Sequence, residues 1–480
     1  MAWMGSGHWS RDAMTSQLGV EANTSYSAID AAWPGTLPKL NKSCVDLAVR
    51  TALACGANVQ SFSAFDRKHY FYADLPAGYQ ITQKYAPLSL GGEVRISGSF
   101  GEKTIRLQQI QLEQENLKAI DLNRAGSALM ELVSYPDMRS PEEAAAYVKT
   151  LQTLLRTVGS SDANMEQGSF RCDVNVSVNR PGDPFGTRCE IKNLNSVGFL
   201  ITALNAEIYR HIELLDQGNQ VIQETRGFDE NRMITYKLRS KEDAPDYRYM
   251  PDSNLPPLIL TQAYLQSIKA FLPEHPDHLR KRLVEQYGFN QQDVNVLLSI
   301  DAGRDVPFDG ETGQSAVSFF EETVKGRNPK TVFNWIVNEL VAQLVLHKRT
   351  FGQSPLSQAQ LGDLIDLVET RKISIFINVE DCIKGTAAKD ILRHILRTGA
   401  IEDIATLQAN LGLMTIDVAD VRMFCETAIG DFPDVAERVR QGNKKVLMKL
   451  VGAAMKLSNG RADANLVKTC LEDILIHRTI

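Results

Sequence analysis

Four short stretches of this chain carry side chains of the kind that handle phosphate, carboxylate and a hard metal ion. In Met165–Asn175, Glu166 precedes a run in which Arg171, Asp173, Asn175 and Ser177 alternate with Cys172, Val174, Val176 and Val178. Period two means a strand with one polar and one apolar face. Glu190–Ser196 alternates again, with Glu190, Lys192 and Leu194 on one side and Asn193 and Asn195 on the other. Phe65–Gln83 packs Lys68, Tyr70, Tyr79 and Gln80 into one aromatic, basic stretch. Lys237–Pro257 holds four basic and four acidic side chains, two tyrosines and four prolines, with Arg239, Lys241, Glu242, Asp246, Arg248 and Tyr249 among them. Ionised groups are almost never buried unpaired, and proline stiffens the backbone, so this stretch reads as a rigid, charged loop.

Such groups can bind and activate a phosphorylated compound. Mg²⁺ takes oxygen ligands, lysine neutralises phosphate, and arginine forks onto two oxygens. The competing reading is a solvated antiparallel face for the strands and a set of surface ion pairs for the loop. Several such faces in one part of the chain favour a site. No Gly-x-x-x-x-Gly-Lys-Ser/Thr, Gly-x-Gly-x-x-Gly, His-Glu-x-x-His or Gly-x-Ser-x-Gly sequence occurs. Any use of ATP therefore needs a site without a P-loop, and no serine hydrolase is visible. Gly91-Gly92 reads as a turn before a strand.

Positioning these groups calls for a scaffold of short strands. From about 60 to 260, β-type runs such as Glu93–Ser97 and Lys103–Leu107 are separated by turn residues. Two helices interrupt them. Ser140-Pro-Glu-Glu143 is a capping box with proline at the first helical position, opening a helix to about Thr157. The second runs from about Phe199 to Leu215 and stops near Gly218. After Pro257 the strand signals vanish, and helical spacing recurs over 260–285, 291–300, 315–324, 329–348, 358–370 and 387–398, then through 402–480. The expected fold class is α+β, because strands and helices segregate along the chain. It comprises an antiparallel-sheet cradle domain over 1–257, an all-α helical domain over 258–401 and a small helical tail domain over 402–480.

Composition sets the frame. At 480 residues the chain exceeds a single core, and 43% apolar with 23% charged residues is ordinary for a soluble globular protein. A net charge of −6 argues against non-specific wrapping of DNA or other nucleic acid, though not against local basic patches. One such patch is Arg438–Arg461, where Arg438, Arg440, Lys444, Lys445, Lys449, Lys456 and Arg461 occur with no acidic residue. On a helix there, Lys445, Lys449 and Lys456 share one face and Val446, Leu447, Leu450 and Val451 another, a footprint for a polyanion. A plain solvated face is the alternative. The seven scattered cysteines form no Cys-x-x-Cys pair and read as reduced thiols of an intracellular protein. No run of eighteen apolar residues could span a membrane. Met1–Arg11 has no acid but only one arginine, little for a mitochondrial presequence.

Six stretches in order carry a resemblance: Ala31-Ala-Trp-Pro-Gly-Thr-Leu-Pro38, Phe65-Asp-Arg-Lys-His-Tyr-Phe-Tyr72, Asp121-Leu-Asn-Arg-Ala-Gly126, Met165-Glu-Gln-Gly-Ser169, Glu190-Ile-Lys-Asn-Leu-Asn-Ser196, and Leu238–Ala244 with Asp246-Tyr-Arg-Tyr249. Over about residues 25–260 they closely resemble the B subunit of the glutamyl-tRNA(Gln)/aspartyl-tRNA(Asn) amidotransferase. Gln109–Gln114 is more similar to its mitochondrial form, and Leu450–Lys456 with Gly460 resembles the family's tail domain more loosely.

The resemblance implies a heterotrimer with an amidase-type A subunit, which supplies ammonia from glutamine, and a small third subunit, located in the mitochondrial matrix. It implies that the B subunit uses ATP and Mg²⁺ to phosphorylate the γ-carboxylate of glutamyl-tRNA(Gln), that ammonia displaces the phosphate, and that the tail touches the tRNA. Within that frame Lys192, Glu166, Asp173 and Asn175 are expected in catalysis, and Glu131 and Glu113 at the metal. Lys68, Tyr70, Tyr79, Gln80, Asn193, Asn195, Arg239, Lys241, Arg248 and Tyr249 are expected at the substrate, and Lys445, Lys449 and Lys456 on the tRNA. Three departures stand out. The family's opening strand carries Gly-Leu-Glu-x-His, whose glutamate and histidine help hold the metal; nothing in residues 1–24 matches, so that strand is expected to be missing. Glu115–Asp121 looks like a shortened loop, and the second acidic metal position falls on Gln114, with Glu113 beside it. Two readings remain open, a working catalytic subunit and a non-catalytic, tRNA-binding scaffold.

Overall fold

A computed structural model describes residues 2–8, 21, 23–24, 26–71, 75–114, 122–166, 168–240, 246–301, 316–349, 351–373, 385–399, 402–411, 418–442, 446–458, 462 and 464–475. Two compact units share them, the first through 301 and the second from 316.

The first unit is organised by one long strand, Gly101–Gln114, which pairs with Ser127–Ser134, Ser89–Leu90 and Glu93–Gly98. Its apolar side chains Ile105, Leu107, Ile110 and Leu112 share a core with Val45, Ala48 and Val49 of helix Lys42–Ala54 and with Leu151, Leu154 and Leu155 of helix Pro141–Thr157. Removing each such valine, leucine or isoleucine side chain from water stabilises the fold by roughly 1.5–3 kcal/mol. The opposite side of the strand carries Gln109, Gln111 and Glu113. At one edge of this sheet, Ala2–His8 runs antiparallel to Ser127–Ser134, with Ala2 opposite Met130 and Trp3 opposite Leu129. The expected absence of an opening strand is thereby corrected. Backbone pairing needs only N–H and C=O groups, which any sequence supplies. The strand's sequence, Ala-Trp-Met-Gly-Ser-Gly-His, contains no carboxylate.

A second sheet orders Cys172–Val176, Cys189–Leu194, Glu224–Asp229 and Ile234–Ser240 side by side. Helix Val197–Asp216, capped by Ser196, covers one face. Among the described residues every strand pairing is antiparallel except Cys189–Leu194 with Glu224–Asp229. That pair is parallel because the helix between its strands is a crossover. Asp173 and Asn175 are exposed while Val176 is buried, as the alternation predicts. Lys192 and Leu194 do not share a face, however. Asn193 takes a φ of +61°, and the register slips between Cys172↔Leu194 and Val174↔Ile191. This bulge turns Leu194 into the core and leaves Lys192 on the open side. Asparagine tolerates the left-handed conformation better than most residues.

A third, small sheet places Asp66–His69 between Tyr79–Thr82 and Met250–Pro251, bringing the end of the charged loop against the aromatic stretch. Helix Pro141–Thr157 starts where the capping box predicts, Ser140 Oγ accepting from Glu143 N at 3.2 Å. The reciprocal half is displaced, since the Glu143 carboxylate takes the Arg139 N–H and Lys103 Nζ, both at 2.7 Å.

The helical stretch 260–285 divides into Gln262–Lys269 and Pro276–Tyr287, because a helix cannot run through Pro273 and Pro276. Strand Leu258–Ile259 pairs with Phe62–Ser63, and these helices and Gln291–Asp301 pack on other helices of the first unit, so the first unit continues past 257. The second unit holds Ala316–Thr323, then Pro329–Trp335, Ile336–Leu340 and Val341–Leu346 running on as one helix with a π turn in its middle. Gln358–Ile373, Gly385–Thr398 and Ile404–Asn410 follow. Val418–Asp431, Pro433–Arg440, Leu447–Leu457 and Ala464–Leu475 enclose a core of their own, with Val421, Cys425, Leu450, Ala454, Val467 and Leu471. No described helix is long and apolar enough to cross a membrane.

Candidate active site

Two carboxylates meet on the polar side of the large sheet. Glu131 lies directly across from Gln111, and Glu113 follows two residues along the same strand. The Gln111 amide donates to Glu113 Oε1 at 2.9 Å and to Glu131 Oε2 at 2.8 Å. Thr82 Oγ1 donates to Glu113 Oε1, and the Gln80 amide lies 3.4 Å from Glu113 Oε2. Glu113 is only 3% exposed. Burial first, and then the charge of Glu113, push the Glu131 carboxyl up to about 7. Among the described residues these two adjacent acids receive hydrogen bonds from neutral donors, and no described cation is in hydrogen-bond contact with either. Gln114 does not join them; its amide oxygen accepts from Ile81 N at 3.1 Å.

The small sheet forms a wall beside this floor. Lys68 lies opposite Gln80 and Asp66 opposite Thr82, so these residues share one face. Tyr70 donates to Gln80 Oε1 at 2.8 Å. Tyr70, Tyr247 and Tyr249 follow one another at ring-centroid distances of 5.7 and 6.0 Å. Lys68 Nζ sits 4.9 Å from the Tyr247 ring and 5.7 Å from that of Tyr70, held by cation–π attraction. Its positive field lowers the Glu131 pKa in part. Burial, followed by the Glu113 charge, pushes the Tyr249 hydroxyl up to about 12, so it remains a donor at neutral pH. Tyr79 is a correction. It lies opposite His69, on the other face, with the Arg67 guanidinium 4.3 Å from its ring.

The open face of the four-stranded sheet supplies a third group. Lys192 Nζ reaches Asp173 Oδ2 at 2.8 Å and Glu190 Oε1 at 3.3 Å. Burial lowers its pKa, but the two carboxylates more than offset this and the net shift is upward. The charge of Asp173 contributes to raising the Glu131 pKa. Lys192 is therefore a cation already matched by two acids. Asn193 N–H is 3.3 Å from Asp173 Oδ1, and Asn195 Nδ2 is 3.3 Å from Glu230 Oε1. Asn175 is exposed opposite Glu190. Glu166 is exposed in the preceding turn, its N–H held by Asn164 Oδ1 at 3.0 Å. No described contact joins Glu166 or Asn195 to the paired carboxylates.

Of the charged loop, Lys241 and Glu242 lie outside the described residues, as does Glu115–Asp121. Arg239 Nε is 3.4 Å from Thr225 Oγ1, on the edge strand of the four-stranded sheet. Arg248 is held by its backbone: its N–H meets Asp246 Oδ1 at 3.2 Å and its carbonyl accepts from His69 Nδ1 at 3.0 Å. Its side chain is 81% exposed and 3.7 Å from Asp246, an exposed pair that steers the guanidinium weakly. Asp246 thus fixes the turn and leaves the guanidinium free to move. In the tail, Lys449 and Lys456 are exposed on helix Leu447–Leu457, with Lys449 Nζ 5.2 Å from the Phe432 ring; Lys445 lies outside the described residues. Gln111 and Thr82 are absent from the sequence candidates. The period-two polar order Gln109, Gln111, Glu113 was the available signal.

A second buried cluster has the composition of a metal site. Cys189, Glu207 and His211 place donor atoms within 4.8 Å of one another. The Glu207 carboxylate is already occupied by Arg210, by Arg226 Nε at 3.0 Å, by Thr235 Oγ1 at 2.6 Å and by His211 Nε2 at 2.9 Å. Two guanidinium groups against the carboxylate leave no charge deficit for a divalent ion. This cluster ties helix Val197–Asp216 to the sheet.

Residues 8–266 match the family described as the GatB/GatE catalytic domain, and residues 318–475 match the one described as the GatB domain. The B subunit of the mitochondrial glutamyl-tRNA(Gln) amidotransferase of Laccaria bicolor is 47% identical over 95% of this chain and 86% of its own length. Its counterpart in Mycosarcoma maydis is 42% identical, over 94% and 81%. The B subunit of the aspartyl/glutamyl-tRNA(Asn/Gln) amidotransferase of Granulibacter bethesdensis is 41% identical, over 95% and 92%. The matched catalytic region contains the paired carboxylates, the tyrosine wall and Lys68, and with both halves of the chain aligned to the same relatives, this protein belongs to the GatB family of tRNA-dependent amidotransferases.

Proposed function

We propose that this chain is the catalytic B subunit that converts glutamyl-tRNA(Gln) to glutaminyl-tRNA(Gln) at the expense of ATP. In the first step one oxygen of the substrate γ-carboxylate attacks the terminal phosphorus of ATP, and ADP leaves. Ammonia then attacks the carbonyl carbon of the acyl phosphate, phosphate departs with the bonding electron pair, and a proton is lost from nitrogen. Positioning and charge neutralisation are what a protein contributes to such a transfer. Lys68 is the cation placed to meet the moving phosphoryl group, and Tyr249, held protonated, donates a hydrogen bond to a substrate oxygen. Asp173 and Glu190 fix Lys192 as part of the open wall, which makes it an orienting group.

The carboxylate floor fits Mg²⁺: Glu113 and Glu131 are hard oxygen donors short of positive charge, and they would hold the ion. Bound there, it would neutralise phosphate charge. Ammonia would come from an amidase-type A subunit in a heterotrimer with a small third subunit, and the mitochondrial names of close relatives support a matrix location. The exposed Lys449 and Lys456, with Lys445 next to them in sequence, support tRNA contact by the tail.

The observation that carries this reading is the pair of adjacent, amide-bridged carboxylates inside the matched catalytic region. In the assembled complex with saturating ammonia, Glu113→Gln should abolish amidation of glutamyl-tRNA(Gln) while the partner's glutaminase persists; normal amidation would reject the assignment. A non-catalytic scaffold is the second reading, favoured by the carboxylate-free Ala2–His8 strand. Under it, the wild-type complex binds tRNA but releases no ADP in the presence of glutamyl-tRNA(Gln).

A further inference from the structure

Gln111 occupies an unusual place for a neutral side chain. It is 6% exposed, lies directly between two carboxylates and touches both through one nitrogen. The NH₂ group faces the two acids, each through a carboxylate oxygen that accepts from it. The carbonyl end is then fixed in turn, because the Gln109 amide donates to Gln111 Oε1 from two residues back on the same strand face. Thr82 completes the set on Glu113 Oε1. The two N–H donors of one amide are spent on holding two like charges together. That is work an apolar residue of the same size could not do.

We infer that Gln111, pinned by Gln109, is the positioning residue of the carboxylate floor: it clamps Glu113 and Glu131 together when no cation is present, and presents its carbonyl oxygen to a divalent cation when one is. The second half rests on the proposed cation site; the first does not. A glutamine amide interchanges its two ends by rotation about a broad terminal torsion, so one side chain can serve both states. In the clamp state the donors offset the repulsion between the acids. In the other state the cation does so, and the amide contributes an oxygen of the hard type that such ions take. Gln109 can turn its own amide in step, giving an oxygen to the released NH₂ group.

Two measurements on the full chain test this. The first is melting temperature without divalent ions. Gln111→Met should lower it by roughly 3 °C or more, and in a Glu131→Gln background the same change should cost less than half as much. Equal losses in both backgrounds would overturn the clamp. The second is Mn²⁺ binding followed by electron paramagnetic resonance. Gln111→Met should weaken it by about tenfold, and Gln111→Glu, which adds a third carboxylate, should tighten it by about tenfold while lowering the metal-free melting temperature. A glutamine that only fills space would give no tightening with glutamate, and that result would overturn the carbonyl-presenting role. Mn²⁺ binding insensitive to Glu113→Gln would reject the cation site itself, while the coupling measured in melting would still decide the clamp.

Discussion

Two buried polar clusters in the first unit are built from similar parts and are wired oppositely. Around Glu207, one carboxylate receives Arg210, Arg226, His211 and Thr235, and Glu224 pairs with the same two arginines, so two carboxylates are matched by two guanidinium groups. Around Glu113 and Glu131, the described residues give the two carboxylates amide and hydroxyl hydrogens and no guanidinium or ammonium contact. The consequences for titration have opposite signs. Although burial alone would raise Glu207, its hydrogen bonds and cations hold it well below the usual carboxylate range. Burial and a like charge hold Glu131 above it. A saturated cluster is scaffold, because nothing remains for a ligand to satisfy. A charge-starved cluster in a region of tyrosines and an exposed-face lysine is where a cation or a phosphorylated substrate gains most.

The largest expected effect tests the saturated side. Glu207→Gln removes one of the two buried carboxylates that match Arg210 and Arg226 and should destabilise the first unit by about 3–5 kcal/mol, read as a fall in denaturation midpoint. Amidation measured well below the melting temperature should survive. An unchanged midpoint would mean that the cluster is not structural. The starved side should respond the other way round. Glu131→Gln should lower ammonia-dependent amidation by about a hundredfold or more, while metal-free stability stays level or rises, since a repulsion disappears. A large loss of stability with normal activity would erase the distinction between the clusters.

Stability against pH sharpens it further. Glu131 has a raised folded pKa, so its contribution is complete below the unfolded value near 4.5 and is lost as pH rises towards about 7. In the metal-free protein this should appear as a decline of at most about 1.4 kcal/mol per pH unit between those limits. Glu131→Gln should flatten it. Glu207, depressed in the fold, contributes above the ordinary carboxylate range and loses its contribution only in stronger acid. A pH-independent midpoint between 4.5 and 7 in the wild type would contradict the raised Glu131 pKa that burial and then the Glu113 charge produce.

Much of this was legible in the sequence, for identifiable reasons. Period-two alternation gave Cys172–Val176 its exposed Asp173 and Asn175, and capping residues located helices Pro141–Thr157 and Val197–Asp216. What failed depended on partners remote in sequence. Leu194 faces the core because Asn193 is bulged against the neighbouring strand, a slip that alternation within one strand cannot reveal. Tyr79 joins Arg67 and leaves Lys68 because the face it takes is set by its pairing with His69. That Lys192 is matched by two acids is hidden from a single strand, because Asp173, 19 residues away, meets it only across the sheet. The opening strand was invisible because pairing at a sheet edge is carried by backbone groups and needs no motif.

The smallest effect concerns a cation that could be lent to the starved cluster. Arg248 lies one residue from Tyr249 with a φ of +42°, a conformation that costs a non-glycine residue about 1 kcal/mol or more. Its N–H is tied to Asp246 and its carbonyl to His69, which hold the backbone in that state while the guanidinium stays exposed. Arginine and lysine pay the same backbone cost, so Arg248→Lys changes only the head group. If Arg248 folds onto a substrate phosphate or carboxylate, losing its planar fork should lower amidation about tenfold, near 1.4 kcal/mol, with an unchanged melting temperature. Arg248→Gly separates the two contributions: it relieves the backbone and should hold or raise the melting temperature, yet lose activity at least as severely as the lysine variant. Full activity in both variants would return Arg248 to the solvated surface and leave Lys68 to supply the cation to the carboxylate pair.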